Sequence, residues 1–366
     1  MVTFVNYYRS ETAAIRGGSV YTAMMADSLR SQLGRSHNVK IFDAPWKSTK
    51  VIPTQISKYF TFPYRRLAAF SQKELIHLPS PFNPGALVFN SPILTTFHDQ
   101  VTYEFYQTKT KGQRLLTYLE DLAAARTDYV ITPSQFTAER TLARFPKFKG
   151  KLEVVYPGID NLFFEQRSQL EREQLLLKLS LTPTDQFLLY VGAISPHKNH
   201  NRVIETYAKL RQKYPNLKLI MIGKIRTRRE FPDLLRLLSE KNLSLNTDVI
   251  IPQQSLSKVE LSALYQSAAV FLFPSFYEGW GIVVGEAFAS GTPTVISNIP
   301  VFQECFSGGA LMVNPSNVEE IVEGVDAMLN KPAVSAQYVK KGRELVKDRI
   351  WENTAAETIK VYQQFS

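Results

Sequence analysis

The feature that most constrains this chain is an alternation that runs through it twice. Short apolar runs that fit buried parallel strands occur at VTFVNY, NVKIF, LIHL, ILTTF, YVIT and KLEVVY, with helical patterns such as RLLTYLEDLAAA between several of them. A less regular stretch follows, Pro157 to Gln186, and the alternation then restarts with FLLYVG, LKLIMIG, DVIIP, AVFLFP, PTVIS and ALMV. Strands alternating with helices call for parallel sheets covered by helices, so the expected fold class is α/β, with two doubly wound domains facing each other. The predicted division is residues 1–160 and 161–349. Ser257 with Glu260, and Ser316 with Glu319, have the spacing of capping boxes and mark helix starts. The last segment, WENTAAETIKVYQQF, is helical in pattern after a break near Asp348; its periodicity fits either the end of the second domain or a return to the first.

Composition narrows the function classes. With 366 residues, 44% of them apolar, the chain can bury two cores, and no apolar run approaches the roughly 18 residues that read as a membrane span. The start, MVTFVNYYRS, lacks the features of a signal peptide, so the cytoplasm is the expected compartment. One cysteine, Cys305, excludes an internal disulfide and a multi-thiolate zinc site, and reads as a buried core residue. The net charge of +10 sits unevenly: residues 1–160 carry 20 basic and 12 acidic side chains, the remainder 23 and 21. From Ala44 to Lys73, six Lys and Arg residues are interleaved with six aromatics and no acid. That suits an anionic membrane surface on the cytoplasmic side, or a phosphorylated acceptor, and equally a solvated face over core aromatics. Nucleic acid is disfavoured because no zinc-finger spacing or RNA-binding aromatic signature accompanies the charge.

The chemistry concentrates in FYEGWGIVVGEAFASGTP, where Glu278 and Glu286 flank a glycine-rich, uncharged run. Gly279, Gly281 and Gly285 after the strand AVFLFP could be a dinucleotide loop, but the acid expected at the end of the next strand is replaced by Ser297 and Asn298. A helix starting near Gly281 would favour a phosphate, with Glu286 in its second turn and Glu278 in the loop before it. Eight residues of helix would span roughly 12 Å, about the length of a ribose, a diphosphate and a sugar. The blander reading is a loop acid and a capping or solvent-facing glutamate. Lys198, in SPHKN after FLLYVG, shifts the balance, because it could neutralise a departing diphosphate. Lys224 follows the next strand, with Arg226, Arg228 and Arg229 reading as a solvated loop; His197 and His200 flank the site. In the first half, Gly17 and Gly18 would allow close backbone approach, His98 stands at a strand end, and Asp99 could cap the next helix. There is no D-x-D pair and no metal-ligand spacing, so neither metal nor cofactor is expected; lysine and helix amides would carry the electrostatics.

These blocks resemble the retaining glycosyltransferases of the GT-B fold with an E-x7-E motif, family GT4, over essentially the whole chain and most closely the mannosyltransferase-like subgroup. PSFYEGWGIVVGEAFASGTPTVISN is similar to the family's donor block, YVGAISPHKN to its phosphate block, VVYPGID to the segment leaving the first domain, TFHDQ to the cleft-histidine block, and TPSQFTAERTL to a serine-led helix. The resemblance implies two Rossmann-like domains facing across a cleft, with residues 350–366 forming a helix that crosses back to the N-terminal domain. It also implies a nucleotide sugar as the bound partner, with Glu278 on the sugar hydroxyls, Glu286 on the ribose, and Gly279, Trp280 and Gly281 on sugar and phosphates. Lys198 would meet the diphosphate with Lys224 beside it, His98 the sugar pocket, and Gly17 and Gly18 the phosphate side. The chain departs from the family at Ala193, where many relatives carry an arginine. The expected reaction is metal-independent hexosyl transfer with retention from a nucleotide-diphosphate sugar, UDP-glucose first and GDP-mannose next, to a saccharide or lipid-linked acceptor in polysaccharide or envelope glycan assembly. The competing readings are a sugar-nucleotide-binding scaffold and a sugar-nucleotide epimerase or phosphorylase.

Overall fold

A computed structural model describes residues 2–6, 17–33, 39–43, 74–80, 91–104, 111–223 and 230–365. Lys224, the arginines after it and the basic aromatic stretch 44–73 lie outside the described residues. Contacts divide the chain into two units, Met1–Gly158 with Trp351–Ser366, and Ile159–Ile350.

In the first unit, β1 (Val2–Asn6), β2 (Val39–Asp43), β3 (Leu75–Leu78), β4 (Ile93–Thr96), β5 (Tyr129–Thr132) and β6 (Leu152–Val154) form a parallel sheet in the order β2-β1-β3-β4-β5-β6. Every residue of β3 and β4 is buried, which is why these strands do not alternate apolar with charged residues; the one histidine, His77, is hydrogen-bonded to Tyr362 and Thr96. Helices α1 (Gly17–Leu33), α2 (Val101–Glu104), α3 (Lys111–Ala125) and α4 (Gln135–Arg144) connect them. Asp99 accepts from the Val101 amide at 2.9 Å at the start of α2, and Ser134 caps α4 through the Thr137 amide.

The second unit carries β7 (Phe187–Val191), β8 (Lys218–Ile222), β9 (Val249–Ile250), β10 (Val270–Phe273), β11 (Thr294–Ser297) and β12 (Leu311–Val313), parallel and ordered β12-β11-β10-β7-β8-β9. Its helices are α5 (Gln169–Lys178), α6 (His200–Lys213), α7 (Glu230–Glu240), α8 (Lys258–Ser267), α9 (Ile282–Ser290), α10 (Pro300–Phe306), α11 (Val318–Asn330) and α12 (Pro332–Val346). This is the dinucleotide-fold strand order, in which the chain reverses direction across the sheet between the first and fourth strands, here β7 and β10. Helix α9 is buried from Val284 to Ser290, as expected of a helix apolar nearly all round.

Two expectations are corrected. The stretch Pro157–Gln186 contains α5, opened by a complete capping box between Ser168 and Glu171. At α11 the cap is Asn317, whose side chain accepts from the Glu319 and Glu320 amides, and not Ser316. The capping box at Ser257 and Glu260 is present.

The final helix, α13 (Trp351–Phe365), belongs to the first unit and packs on α1. Trp351 meets Tyr21 edge-on at 5.4 Å, Phe365 stacks on Tyr129 at 4.1 Å, and the Thr354 hydroxyl donates to the Tyr156 carbonyl at 3.0 Å. The Tyr362 hydroxyl lies 2.6 Å from His77 Nδ1 in the middle of the sheet. Among the described residues, no helix is long and apolar enough to cross a membrane.

Candidate functional site

The reversal point of the second sheet is where a doubly wound fold leaves a crevice at its strand ends. Strand β7 leads into Gly192, and β8 ends in Gly223. A Cβ on Gly223 would lie 1.9 Å from the Gly192 carbonyl oxygen, so only glycine lets the two strand ends close up. Below them the buried Tyr190 hydroxyl donates to the Ala193 carbonyl at 3.0 Å. Burial and the nearby Glu278 charge both push the Tyr190 hydroxyl pKa upward.

The chain then makes a short 3-10 turn, Pro196–Lys198, and passes through Asn199 in a left-handed conformation (φ 57°) into α6. Across the reversal, β10 runs out through Pro274 and Ser275 to Glu278. The Phe276 amide and the Ser275 hydroxyl both donate to the His197 carbonyl, at 2.8 and 2.9 Å. This brings together two residues 80 positions apart: Lys198 Nζ reaches both Glu278 oxygens, at 2.5 and 2.7 Å. Glu278 is 9% exposed, and the ammonium also stands 5.4 Å above the Phe273 ring. His200 Nδ1 lies 3.3 Å from the Ser195 carbonyl, on the flank of this turn.

Helix α9 starts at Gly281, whose φ of 108° is accessible to glycine at little cost, and where a Cβ would come within 2.8 Å of Phe302. No side chain caps this helix start. Glu286 sits in the second turn, as expected, but it is buried and not solvent-facing. Tyr265 donates to it at 3.2 Å. Burial pushes the Glu286 carboxyl up to about 8; the Tyr265 hydrogen bond opposes this, Asp160 adds to it, and Lys258 opposes it again. Asp160 and Lys258 are themselves paired at 2.6 Å. The span between the two glutamates is three loop residues and one helical turn, not eight residues of helix. The Trp280 indole is 4% exposed, packs edge-on against Phe306 at 5.2 Å, and with Ile159 crowds the position a Cβ on Gly285 would take, at 3.0 and 2.8 Å. A donor contact at Trp280 is therefore restricted to its main chain.

In the first unit, His98 follows β4 and is half-buried. Its Nε2 lies 2.6 Å from the Pro79 carbonyl, so that nitrogen carries the proton and donates. Burial holds its pKa down at about 4, leaving a neutral ring with Nδ1 as acceptor. Tyr21 lies edge-on to it at 4.7 Å. Gly17 and Gly18 are the first residues of α1. Cys305 is partly buried, and burial raises its thiol pKa well out of the reactive range. Among the described residues no group of three His, Cys, Asp or Glu side chains could hold a metal ion.

Sequence reasoning missed Asn199, Ser275 and Tyr265. Asn199 carries a readable signal, an Asn directly before a helical pattern, whereas Tyr265 lies 21 residues from Glu286 on another helix and carries none.

A family model described as "Glycosyl transferases group 1" matches residues 171–345, and one described as "Glycosyltransferase Family 4" matches residues 15–161. An uncharacterised glycosyltransferase of Methanocaldococcus jannaschii is 27% identical over 267 residues, 70% of this chain and 65% of that protein. O-antigen chain mannosyltransferase B of Escherichia coli is 27% identical over 299 residues, 79% of this chain and 74% of that one. Among solved structures, the sucrose-phosphate synthase of Thermosynechococcus elongatus is similar in fold, with a TM-score of 0.78 at 20% identity, covering 100% of this chain and 98% of its own.

Proposed function

The chain belongs to the glycosyl transferases of group 1, family 4, and we propose from that premise that it moves a hexose from a nucleotide-diphosphate sugar to a saccharide or lipid-linked acceptor with retention of configuration. The observation that carries this reading is the Lys198–Glu278 pair at the β7/β10 reversal. A cation and a carboxylate side by side suit a diphosphate and a sugar hydroxyl. In this reading the first amides of α9, with the main chain of Gly279, Trp280 and Gly281, face the phosphates. Glu286 takes the ribose hydroxyls, Glu278 the sugar hydroxyls, and Lys198 the departing diphosphate, with Lys224 supporting it. Positive charge from lysine and helix amides makes a metal unnecessary. The first unit takes the acceptor, with the neutral ring of His98 lining the sugar pocket and Gly17 and Gly18 on the phosphate side.

The chemical step we propose is front-face displacement through an oxocarbenium-like state. The glycosidic C–O bond to the diphosphate breaks, the acceptor oxygen bonds to the same face, and the leaving phosphate takes the acceptor's proton. Glu278 serves hydroxyls and not the anomeric carbon, so trapping a glycosyl adduct on it would refute the step.

For the donor, the mannosyltransferase named among the relatives moves GDP-mannose ahead of UDP-glucose. Incubation with GDP-mannose, UDP-glucose and ADP-glucose, read by thermal shift and by release of nucleoside diphosphate, tests the reading. Binding and slow release of nucleoside diphosphate support it. Binding with no release under any acceptor favours the scaffold, and conversion to another nucleotide sugar favours the epimerase. Location at the cytoplasmic membrane face, through residues 44–73, is part of the proposal. Co-sedimentation with vesicles containing anionic lipid, lost at high salt, is the expected behaviour.

A further inference from the structure

Lys198 and Glu278 belong to separate loops, and something has to fix one against the other. We propose that Asn199 is the positioning residue that does this, acting on the diphosphate site through Lys198; the inference rests on the donor-site reading above. Asn199 is 5% exposed and sits at φ 57°, ψ 34°, a conformation that Asn tolerates far better than most side chains. Its side chain does not cap α6, the helix it precedes. Instead the two hydrogens of its amide serve two other loops. Nδ2 donates to the Pro274 carbonyl at 2.8 Å and to the Pro315 carbonyl at 2.7 Å.

Those carbonyls stand just past β10 and β12, so a single side chain ties the turn after β7 to the exits of two further strands. Pro274 opens the segment that ends at Glu278. Together with the two bonds that His197 O accepts from Phe276 and Ser275, the Asn199 amide joins residues 196–199 to residues 274–276. The left-handed turn at Asn199 also sets the direction in which the chain leaves Lys198. An Asn is the one common side chain that supplies this backbone conformation and two co-planar donors together.

Asn199→Gly separates the two contributions, since glycine keeps the left-handed turn and removes the amide. The assay is release of nucleoside diphosphate from GDP-mannose or UDP-glucose, whichever the wild type turns over. Expected is a loss of roughly 10- to 100-fold in kcat, because small displacements at a reacting centre cost about that much, with donor KM changed less than about threefold. Acting through Lys198, the substitution should add less than about twofold in a Lys198→Met background. Wild-type kcat in Asn199→Gly, or a loss that multiplies fully with that of Lys198→Met, overturns the proposal. If the glycine variant does not fold, Asn199→Asp replaces it: similar in size and left-handed tolerance, without the amide donors, it should show the same loss and the same dependence on Lys198. A wild type that turns over no nucleotide sugar defeats the donor reading. The Asn199 proposal is then decided by inorganic pyrophosphate affinity, which Asn199→Gly should weaken more than about threefold if the proposal holds and leave unchanged if it does not.

Discussion

Lys198 is already paired within its own chain. Both Glu278 oxygens accept from its ammonium, at 2.5 and 2.7 Å, in surroundings that leave Glu278 9% exposed. A diphosphate must compete with that carboxylate for the same cation. Charged hydrogen bonds contribute about 1.5–3 kcal/mol each. In Glu278→Gln the neutral amide has one acceptor oxygen in place of two, so one such bond is freed for phosphate, together with the part of the Coulomb attraction that held it. A nucleoside diphosphate alone carries no transferable hexose, so it loses no Glu278 contact in the variant. UDP or GDP should therefore bind Glu278→Gln more tightly than wild type by about 1.5–3 kcal/mol, roughly 10- to 150-fold. Over the same substitution, donor turnover should fall, because the sugar hydroxyls lose their carboxylate. Isothermal titration at low ionic strength measures the first quantity and diphosphate release the second. Unchanged or weaker nucleoside diphosphate binding in Glu278→Gln would refute the competition, whatever happens to turnover.

Three further outcomes follow from the burial of ionisable groups and from close backbone approach, and a fourth from the site's own positive charge. The Glu286 carboxyl, raised to about 8 by burial, holds a proton in the folded state that the unfolded chain releases at its ordinary, lower pKa. Its contribution is complete below the ordinary carboxylate pKa and is lost as pH rises through about 8, at roughly 1.4 kcal/mol per unit of separation. The wild-type urea midpoint should fall between pH 5 and 9 more steeply than that of Glu286→Gln, and equal slopes would contradict the burial argument. His77 has the opposite sign. Burial holds its pKa at about 3, so it contributes stability above the ordinary histidine pKa that is lost as pH falls, and His77→Gln should flatten the acid side of a thermal-midpoint profile. Gly223→Ala, with its new Cβ 1.9 Å from a carbonyl oxygen, should cost about 1–3 kcal/mol and lower turnover. Gly192→Ala meets only the Tyr190 and Phe273 side chains, at 3.0 Å and beyond, and should cost less; the reverse order in chemical denaturation would refute the reading. Turnover should survive EDTA unchanged, and loss restored by a divalent cation would remove the lysine-and-amide account.

The strands were legible in the sequence because burial on both faces imposes one composition over a short length, and their observed ends fall close to the apolar runs. Helix α5 was not, although Ser168 and Glu171 carry the same signal that marked α8. The consecutive Leu175, Leu176 and Leu177 blur a period of 3.6: the first two are buried while Leu177 is 65% exposed. Ser316 and Asn317 are both competent caps, and backbone geometry, which composition does not encode, chose the second.

The site shows the same division between local and non-local information. Gly281 at the start of α9 and Glu286 one turn in could be placed by spacing, because both belong to one loop and one helix. The Lys198–Glu278 contact could not, because it depends on which strands are neighbours. In the observed order β7 lies beside β10, although two strands and three described α-helices separate them in sequence. Residues just past the first and fourth strands of such a sheet must meet at its reversal, whatever their separation along the chain. Motifs identify the groups, and strand order decides which of them touch. The side chains that brace these groups, Asn199 beside Lys198 and Tyr265 on Glu286, bond across loops or helices from positions that carry no periodic signal. A substitution scan confined to the E-x7-E block and Lys198 would therefore miss part of what holds them.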